Sequence, residues 1–343
     1  MDITVGNKVV GKNAPVFVIA EGCDNHLGNM ETAREMIRQA KLAGADCIKF
    51  QHHLADEEML PGTPMSDNFE EPLYDFLLKN ALTLDQHVQL KKYCEEVGIH
   101  YLCTPFSYQA AVELAGIGVD AFKIGSGEMT DLTSLKKIAA LGKPMILSTG
   151  MCTLDEIRDT YQAMKSWGTP FCFTNCVSEY PPVYEDLNLG FIQTMLREFP
   201  DIVIGHSDHT PDLFTCYAAV ALGAKIIEKH IILDKRSPGP DQSVSIDMHD
   251  LAQLVEGVRK VEVSLGCEKK VHTKEQQIRE WAFRSIVTTR DIDPGTLLTE
   301  DMLWTKRPGT GIPSKELCDF IGRKTTCFIA ANTLLRREDV DNA

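Results

Sequence analysis

Eight short apolar runs, each followed by an amphipathic segment, occupy about the first 265 residues of this chain. Each run is rich in β-branched and aromatic residues and has the length of a buried parallel strand. The intervening segments have helical spacing and mostly end just before a glycine, which is the usual signal for the end of a helix. The runs span residues 15–21, 46–51, 100–106, 121–128, 144–150, 170–175, 202–209 and 225–231.

This repeat of strand and helix predicts an α/β fold, a TIM (β/α)8 barrel. An open doubly wound sheet usually contains fewer strands, and the first predicted strand is not followed by the G-x-G-x-x-G fingerprint of a dinucleotide-binding fold. After Gly266 the pattern changes. We expect a barrel domain over 1–266, a polar linker with some helix over 267–284, and a small domain rich in β-structure and turns over 285–343.

Composition excludes several classes of protein. The chain carries 35 Lys and Arg against 49 Asp and Glu, a net charge of −14, whereas a general nucleic-acid-binding protein presents a basic face. No apolar run approaches the ~20 residues of a membrane-spanning helix, and the N-terminus lacks the pattern of a signal peptide. Eleven cysteines without the spacing of a zinc or redox motif indicate reduced thiols. We therefore expect a cytoplasmic protein without nucleic-acid or membrane partners.

Polar side chains stand at the same end of all eight predicted strands. The active site of a TIM barrel lies at the carboxyl ends of its strands, and polar groups inside apolar strands are costly unless they are paired. Packing explains a polar residue at one strand end, but it does not easily explain the whole set. In chain order the residues are Glu21, Asn25, Lys49, Gln51, Thr104, Lys123, Ser126, Glu128, Ser148, Asn175, Ser178, Tyr180, Ser207, Asp208, His209 and His230.

The residue types at these strand ends indicate a class of reaction. Lys49 and Lys123, with the hydroxyl groups nearby, are suited to hold a phosphate or a carboxylate. His209 and His230 follow adjacent strands and are suited to bind a divalent metal, although each taken alone is more simply explained as a structural histidine. Two carboxylates are available for acid–base work or for positioning a water: Glu21 and Glu128. An anionic substrate, a Lewis acid and a base together fit carbon–carbon bond formation at a carbonyl.

Two other functions fit parts of this pattern. A metal-dependent sugar isomerase or epimerase on the same barrel would use His209, His230 and the two glutamates, but it would leave the paired lysines and the strand-end hydroxyl groups without an anion to bind. A binding protein would rely on the C-terminal segment. Residues 285–343 mix acidic and basic side chains, which does not suit a flat, weakly polar binding face.

Several segments resemble the sialic acid synthase family, also described as the nonulosonic acid synthases. They occur in the family's order along nearly the whole chain and include AEGCDNHLGN, FKIGSGE, SEYPPVYEDLNL, IGHSDHT, IEKHIILD, SPGPDQSVS and KRPGTGI. The resemblance implies a TIM barrel followed by a small β-rich antifreeze-like (SAF) domain. It also implies a domain-swapped homodimer in which the small domain covers the partner's active site.

The family condenses phosphoenolpyruvate with an N-acetylmannosamine-type aldehyde and releases phosphate, so the resemblance implies these two substrates. It implies a divalent metal bound by His209 and His230, with Mn²⁺ as the first candidate and Mg²⁺ or Co²⁺ as alternatives. Glu21 corresponds to the family's catalytic glutamate, and Glu128 is the second candidate catalytic carboxylate. The residues expected to hold phosphoenolpyruvate are Lys49, Thr104, Lys123, Ser126, Ser148, Ser178 and Ser207. Those expected around the amino sugar are Gln51, Asn68, Glu128, Tyr180, Asp241 and, in the small domain, Arg307.

This chain departs from the family's common pattern at a few positions. Ser178 stands where some members have asparagine, and the loop that contains Asn68 differs in length and sequence. Cys23 and Asp24, directly after Glu21, are also not the usual residues. These differences leave the amino sugar open between N-acetylmannosamine, a 2,4-diacetamido sugar leading to legionaminic or pseudaminic acid, and a phosphorylated sugar.

Overall fold

The described residues, 1–64 and 71–341, form two compact units that divide after Gly266 in this computed structural model. Asn68, predicted to contact the amino sugar, lies outside the described residues. Within these ranges, none of the helices has both the length and the hydropathy needed to cross a bilayer. All eleven cysteines are free, and seven of them are buried.

The N-terminal unit is built on a closed barrel of eight parallel strands whose order follows the chain, with the last strand pairing with the first. A short hairpin, β1 (Ile3–Val5) and β2 (Lys8–Val10), precedes the barrel. The barrel strands are β3 (Phe17–Glu21), β4 (Cys47–His52), β5 (His100–Pro105), β6 (Phe122–Ile124), β7 (Met145–Ser148), β8 (Phe171–Cys176), β9 (Ile204–Asp208) and β10 (Ile226–His230). This architecture confirms the predicted TIM barrel.

At least one helix follows every barrel strand. The helices are α1 (Met30–Leu42), α2 (Ala55–Glu58), α3 (Leu73–Asn80), α4 (Leu84–Val97), α5 (Tyr108–Gly116), α6 (Leu132–Ala139), α7 (Leu154–Trp167), α8 (Phe191–Glu198), α9 (Phe214–Ala221) and α10 (Met248–Ser264). Local sequence sets their ends: Thr153 caps α7 in a capping box with Glu156, and Gly168 ends it with a φ of 75°. Helices α2 and α3 lie in the loop after β4 and have no counterpart in the predicted pattern.

The inward face of the barrel strands changes from apolar to polar along the chain direction. Because side chains alternate across a strand, residues two positions apart share a face. The successive inward residues are Ile19 and Glu21, Cys47 and Lys49, Leu102 and Thr104, Ala121 and Lys123, Ile146 and Ser148, and Ile226 and Glu228. The first member of each pair joins the hairpin residues Ile3, Val5 and Val10 in one buried apolar cluster. This cluster fills the amino-terminal end of the barrel and leaves the polar residues at the carboxyl end.

The C-terminal unit begins with helix α11 (Thr273–Ala282) and continues with an antiparallel pair, β11 (Ser285–Thr288) and β12 (Leu303–Lys306). Isolated bridges connect its remaining turns, and a small apolar core of its own holds them together. A small β-rich domain after the barrel is therefore confirmed. Helix α11 lies within the segment expected to be a linker, 267–284, and the three domain boundaries stay predictions.

Candidate active site

A cavity of about 390 Å³ opens at the carboxyl ends of the barrel strands. Strand pairing sets its floor, because Glu21 is in register with His230 on one side and with Lys49 on the other. The cavity is lined by Glu21, Lys49, Gln51, Thr104, Lys123, Ser126, Glu128, Ser148, Ser178, Tyr180, Ser207, His209, His230 and Asp241. These are all the barrel residues with a role assigned from the sequence except Asn68. Three other residues that follow predicted strands, Asn25, Asn175 and Asp208, do not line the cavity. Their individual roles stay predictions.

Two lysines and two glutamates form a buried charge network on the cavity floor. Lys49 forms an ion pair with Glu21 and donates a hydrogen bond to Thr104 Oγ1 at 2.9 Å. Lys123 donates to Glu228 Oε1 at 3.1 Å, and Lys49 Nζ lies 3.9 Å from the same oxygen. All four charged residues are at most 3% exposed. Buried charges are tolerated only when they are paired, so each lysine here has a carboxylate partner.

The two glutamates of this network differ in the direction of their pKa shifts. Burial raises the pKa of Glu21, and the nearby Lys49 only partly opposes this effect. Burial would also raise the pKa of Glu228, but Lys123 and Lys49 outweigh it and hold that pKa below its usual value. Glu228 is therefore the ionised partner of the lysines, whereas Glu21 holds a proton more readily. Carboxyl groups whose pKa values diverge within one site are typical of acid–base chemistry.

Hydroxyl groups converge beside the lysines. Ser126 Oγ accepts a hydrogen bond from the Gly150 N–H at 3.1 Å, and Ser148 Oγ lies 2.9 Å from Thr174 Oγ1. A Cβ atom at Gly150 would lie 2.2 Å from Ser178 Oγ and 2.7 Å from Ser126 Oγ, so any side chain at this position would displace the two hydroxyl groups. Hydroxyl groups and lysine ammonium groups are donors to phosphate and carboxylate oxygens. This part of the cavity is therefore suited to an anion.

The two histidines predicted to bind metal are neighbours in the cavity, with ring centroids 5.1 Å apart. His209 Nδ1 donates a hydrogen bond to the Val177 carbonyl at 2.7 Å, and the Tyr180 ring stacks on the same imidazole at a centroid distance of 4.2 Å. These contacts fix the His209 ring and leave Nε2 as its free nitrogen. His230 is buried, and its Nδ1 has no hydrogen-bond partner among the described residues.

Three kinds of metal ligand meet beside His230. Cys23, His230 and Asp241 each offer one ligand atom, and these atoms lie within 4.8 Å of one another. A buried imidazole nitrogen without a hydrogen-bond partner, next to a carboxylate and a thiol, is suited to a divalent transition metal. The residues of this site therefore fit such an ion, and His209 flanks them. Asp241, predicted to contact the amino sugar, lies among these ligands.

Comparison with known proteins assigns this chain to a family. The NeuB family profile matches residues 36–270, and the SAF domain profile matches residues 283–341. The chain belongs to the NeuB family. It is 37% identical over 340 residues to N-acetylneuraminate-9-phosphate synthase of Homo sapiens, which covers 97% of this chain and 95% of that protein. It is 35% identical over 348 residues to N,N'-diacetyllegionaminic acid synthase of Legionella pneumophila, with 98% of each chain covered.

A solved structure supports the same assignment of this NeuB-family chain. The N-acetylneuraminic acid (sialic acid) synthetase of Leptospira borgpetersenii, in complex with citrate, superimposes with a TM-score of 0.74 at 32% identity, over 81% of this chain and 95% of that one. These comparisons confirm the resemblance to the sialic acid synthases. Because the relatives are named as synthases, the comparisons do not favour the sugar isomerase or epimerase alternative.

One further residue predicted for the amino sugar belongs to the C-terminal unit of this NeuB-family chain. Arg307 Nε donates a hydrogen bond to the Ala282 carbonyl at 3.1 Å, and its guanidinium lies 5.3 Å from the centroid of the Trp281 ring. These contacts lie within the C-terminal unit. The expectation that Arg307 reaches an amino sugar stays a prediction.

Sequence reasoning missed Glu228, the carboxylate that both lysines share. Ser207 Oγ also donates to it at 3.2 Å. Its position two residues before His230 is the signal that would have found it, because the two side chains share the inward face of β10. Other cavity residues that the sequence pattern did not single out include His53, Phe106, Met151 and Cys176.

A chain of hydrogen bonds leads from Glu21 to a residue of α2. Gln51 Nε2 donates to Glu21 Oε1 at 3.0 Å, and Gln51 Oε1 lies 3.0 Å from His53 Nε2. His53 Nδ1 lies 2.9 Å from Glu58 Oε1. Burial alone would lower the pKa of His53, but the nearby Asp24 and Glu58 outweigh this effect, so the pKa lies above its usual value. Each ring nitrogen of His53 thus faces an oxygen atom, and its contact with Gln51 Oε1 orients the Gln51 amide.

Proposed function

We propose that this chain condenses phosphoenolpyruvate with an open-chain N-acetylated amino sugar to give a nonulosonic acid and inorganic phosphate. The observation that carries the proposal is that Lys49 and Lys123 approach one carboxylate, Glu228, on the floor of a cavity that also holds two histidines. Two buried cations in one cavity suit a substrate with two acidic groups. The named activities of the relatives, sialic and legionaminic acid synthases, support the same reaction class.

We assign phosphoenolpyruvate to the lysine end of the cavity. Its phosphate and carboxylate need several donors, and a buried lysine is a stronger partner for an anion than an exposed one because less water competes. Glu228 keeps both ammonium groups in place before the substrate arrives. The residues assigned to this substrate are Lys49, Thr104, Lys123, Ser126, Ser148, Ser178 and Ser207.

We assign a divalent metal to His209 and His230. The Nδ1 of His230, which is buried without a hydrogen-bond partner among the described residues, and the His209 ring held by Val177 support this assignment. When bound, such an ion acts as a Lewis acid that polarises the aldehyde carbonyl. The family resemblance makes Mn²⁺ the first candidate, with Mg²⁺ and Co²⁺ as alternatives.

The reaction requires a new carbon–carbon bond, the addition of water and the departure of phosphate. C3 of phosphoenolpyruvate attacks the aldehyde carbon, water adds to the cationic centre that forms at C2, and the tetrahedral intermediate loses phosphate to leave the keto acid. Gln51 and Lys49 hold the Glu21 carboxyl group on the cavity floor. We assign Glu21 the role of the base that accepts a proton from the attacking water. Burial raises the pKa of Glu128 to about 7, which suits it to deliver a proton to the new hydroxyl group near neutral pH.

We assign the amino sugar to the side of the cavity formed by Gln51, Tyr180 and Asp241. The family resemblance adds Asn68 and Arg307, with the arginine supplied by the partner subunit of a domain-swapped homodimer. The acceptor is one of three classes: N-acetylmannosamine, its phosphorylated form, or a 2,4-diacetamido sugar.

Release of phosphate from phosphoenolpyruvate tests this function. The protein is treated with EDTA and then assayed with each acceptor class, with and without added Mn²⁺. We expect release only when both an acceptor and the metal are present. Lys123→Met should abolish it, whereas Lys137→Met, on the exposed face of α6, should leave it unchanged. No release with any of the three acceptors, from folded and metal-loaded protein, would contradict the proposal.

A further inference from the structure

We propose that Cys23 supplies a thiolate ligand to the metal ion of this site, beside His230 and Asp241. The inference rests on the proposed function, because it concerns the ion that the condensation uses. Sulfur is a soft donor that suits Zn²⁺ or Co²⁺, whereas Mn²⁺ prefers oxygen donors. A thiolate in the ligand set therefore shifts the metal preference of this enzyme away from Mn²⁺.

The three donor atoms form a compact group. Cys23 Sγ, a ring nitrogen of His230 and a carboxylate oxygen of Asp241 are all within 4.8 Å of one another. In a tetrahedral site, with zinc about 2.3 Å from sulfur and about 2.1 Å from nitrogen or oxygen, two ligand atoms are roughly 3.5 Å apart. His230 Nδ1 and Asp241 Oδ2 are already 3.8 Å apart. Only a small displacement is needed to complete the site.

The free nitrogen of His230 is a second observation that points to a cation. Its Nδ1 is buried, has no hydrogen-bond partner among the described residues and lies 3.8 Å from Asp241 Oδ2. Such a nitrogen is costly to bury alone, and a bound metal accounts for it. The other thiol near the histidines does not compete, because Cys176 Sγ lies 3.9 Å from His209 Nδ1, the nitrogen already bonded to the Val177 carbonyl.

The backbone at Cys23 gives a third reason to expect a functional role. Its φ of 38° lies in the left-handed region, which is unfavourable for a residue with a side chain and freely available to glycine. The surrounding loop holds this conformation, because Asn25 Nδ2 donates to the Ile231 carbonyl and to Ser245 Oγ, each at 2.9 Å. Strained residues that a structure holds in place in this way cluster at ligand sites.

Cobalt binding tests the ligand without any substrate. The full-length protein is stripped with EDTA and titrated with Co²⁺ under anaerobic conditions, because a thiolate bound to Co²⁺ gives a charge-transfer band in the near ultraviolet. We expect this band in the native chain and in the control Cys47→Ser. The Cys47 thiol is also fully buried, but it lies in the apolar cluster at the opposite end of the barrel. We expect no band in Cys23→Ser or Cys23→Gly.

Cys23→Gly keeps the test informative if the serine variant folds poorly, because glycine adopts the left-handed conformation without strain. In this variant the dissociation constant for Zn²⁺, measured by competition with a chelating dye, should rise by about tenfold or more, since loss of even an outer partner of a metal ligand has an effect of that size. The dissociation constant for Mn²⁺ should change much less. The ratio of the two constants therefore reports the thiolate itself rather than a general loosening of the site.

Persistence of the band in Cys23→Gly, or its absence from the native protein, overturns the inference. The proposed function is judged separately by phosphate release. Metal-dependent release from a protein without the band leaves the function standing and removes Cys23 from the ligand set. A band without phosphate release with any acceptor keeps the ligand set and removes the function.

Discussion

Lys123 Nζ donates a hydrogen bond to Glu228 Oε1 at 3.1 Å and so joins β6 to β10 across the interior of the barrel. Lys49 Nζ lies 3.9 Å from the same oxygen, and Ser207 Oγ donates to it at 3.2 Å. Two cations thus share one buried acceptor. An anionic substrate that reaches these lysines enters a site where the positive charges are already in position.

Glu228→Gln should lower the stability of the protein while the fold is retained. The substitution removes the carboxylate charge that pairs with two buried lysines, and breaking a buried ion pair in this way costs about 3 kcal/mol. The free energy of unfolding, measured with urea, should fall by about that amount. Phosphoenolpyruvate should restore more stability to the variant than to the native chain, because its charge replaces the lost carboxylate. Equal stabilisation of both proteins would mean that the substrate does not bind at these lysines.

Glu21→Gln should abolish turnover while the protein remains folded. The amide keeps the size of the side chain but cannot accept the proton of the attacking water. The rate of phosphate release measures the effect, and circular dichroism checks the fold. Glu95→Gln is the matched control and should leave turnover unchanged, because Glu95 lies on the exposed face of α4, where it pairs with Lys91. A near-normal kcat in Glu21→Gln would remove Glu21 from the chemistry.

The barrel and most of its cavity could be predicted because the apolar-to-polar change occurs at the same end of each strand. Ile19 followed by Glu21, and Cys47 followed by Lys49, are local patterns that periodicity detects. When only the last residue of each predicted strand is taken as a site candidate, His230 is found and Glu228 is overlooked. A rule that ignores alternation also groups Asp208 with the cavity residues, whereas the structure places it outside the cavity, in contact with Lys229 and Thr215.

Other parts of the site depend on tertiary contacts that no local pattern reports. Cys23 and Asp241 are far apart in the chain, and only closure of the barrel brings β3 and β10 together and places both residues beside His230. Glu58 lies on α2, which is too short to give a helical period. Its contact with His53 therefore had no signal in the sequence.

The stability of the native chain should depend on pH through Glu128. Burial raises the pKa of this carboxyl group from 4.5 to about 7, so the folded state binds its proton more tightly than the unfolded state. The resulting stability is fully present below pH 4.5 and is lost as the pH rises through about 7. Burial also raises the pKa of Asp24 to about 6, so both proteins should lose stability as the pH rises. Urea unfolding in EDTA at several pH values should show a decline that is smaller in Glu128→Gln than in the native chain, by on the order of 2 kcal/mol. Parallel profiles for the two proteins would contradict the assignment.

Arg307→Ala should raise KM for the amino sugar more than KM for phosphoenolpyruvate. The expectation follows from the family resemblance, in which this arginine reaches the N-acetyl group across the dimer. Steady-state kinetics with each substrate varied in turn measures the two constants. Arg290→Ala is the control, since Arg290 lies in the same unit and pairs with Asp301 on its surface. Equal increases in both constants would show that Arg307 does not face the sugar.

Asp208→Asn should unfold at a much lower urea concentration although Asp208 does not line the cavity. Asp208 forms a buried ion pair with Lys229 and accepts a hydrogen bond from His206 Nε2 at 3.0 Å. Burial alone would raise the pKa of Asp208, but His206 and Lys229 outweigh this effect and hold the pKa well below its usual value. The carboxylate therefore stabilises the fold at neutral pH, and this stabilisation is lost only in acid. Loss of its charge leaves Lys229 buried and unpaired, at a cost of about 3 kcal/mol or more in the free energy of unfolding. Glu256→Gln, which breaks an exposed ion pair on α10, is the control and should leave the unfolding midpoint unchanged. A similar loss of stability in both variants would mean that burial of the Asp208 pair does not determine its contribution.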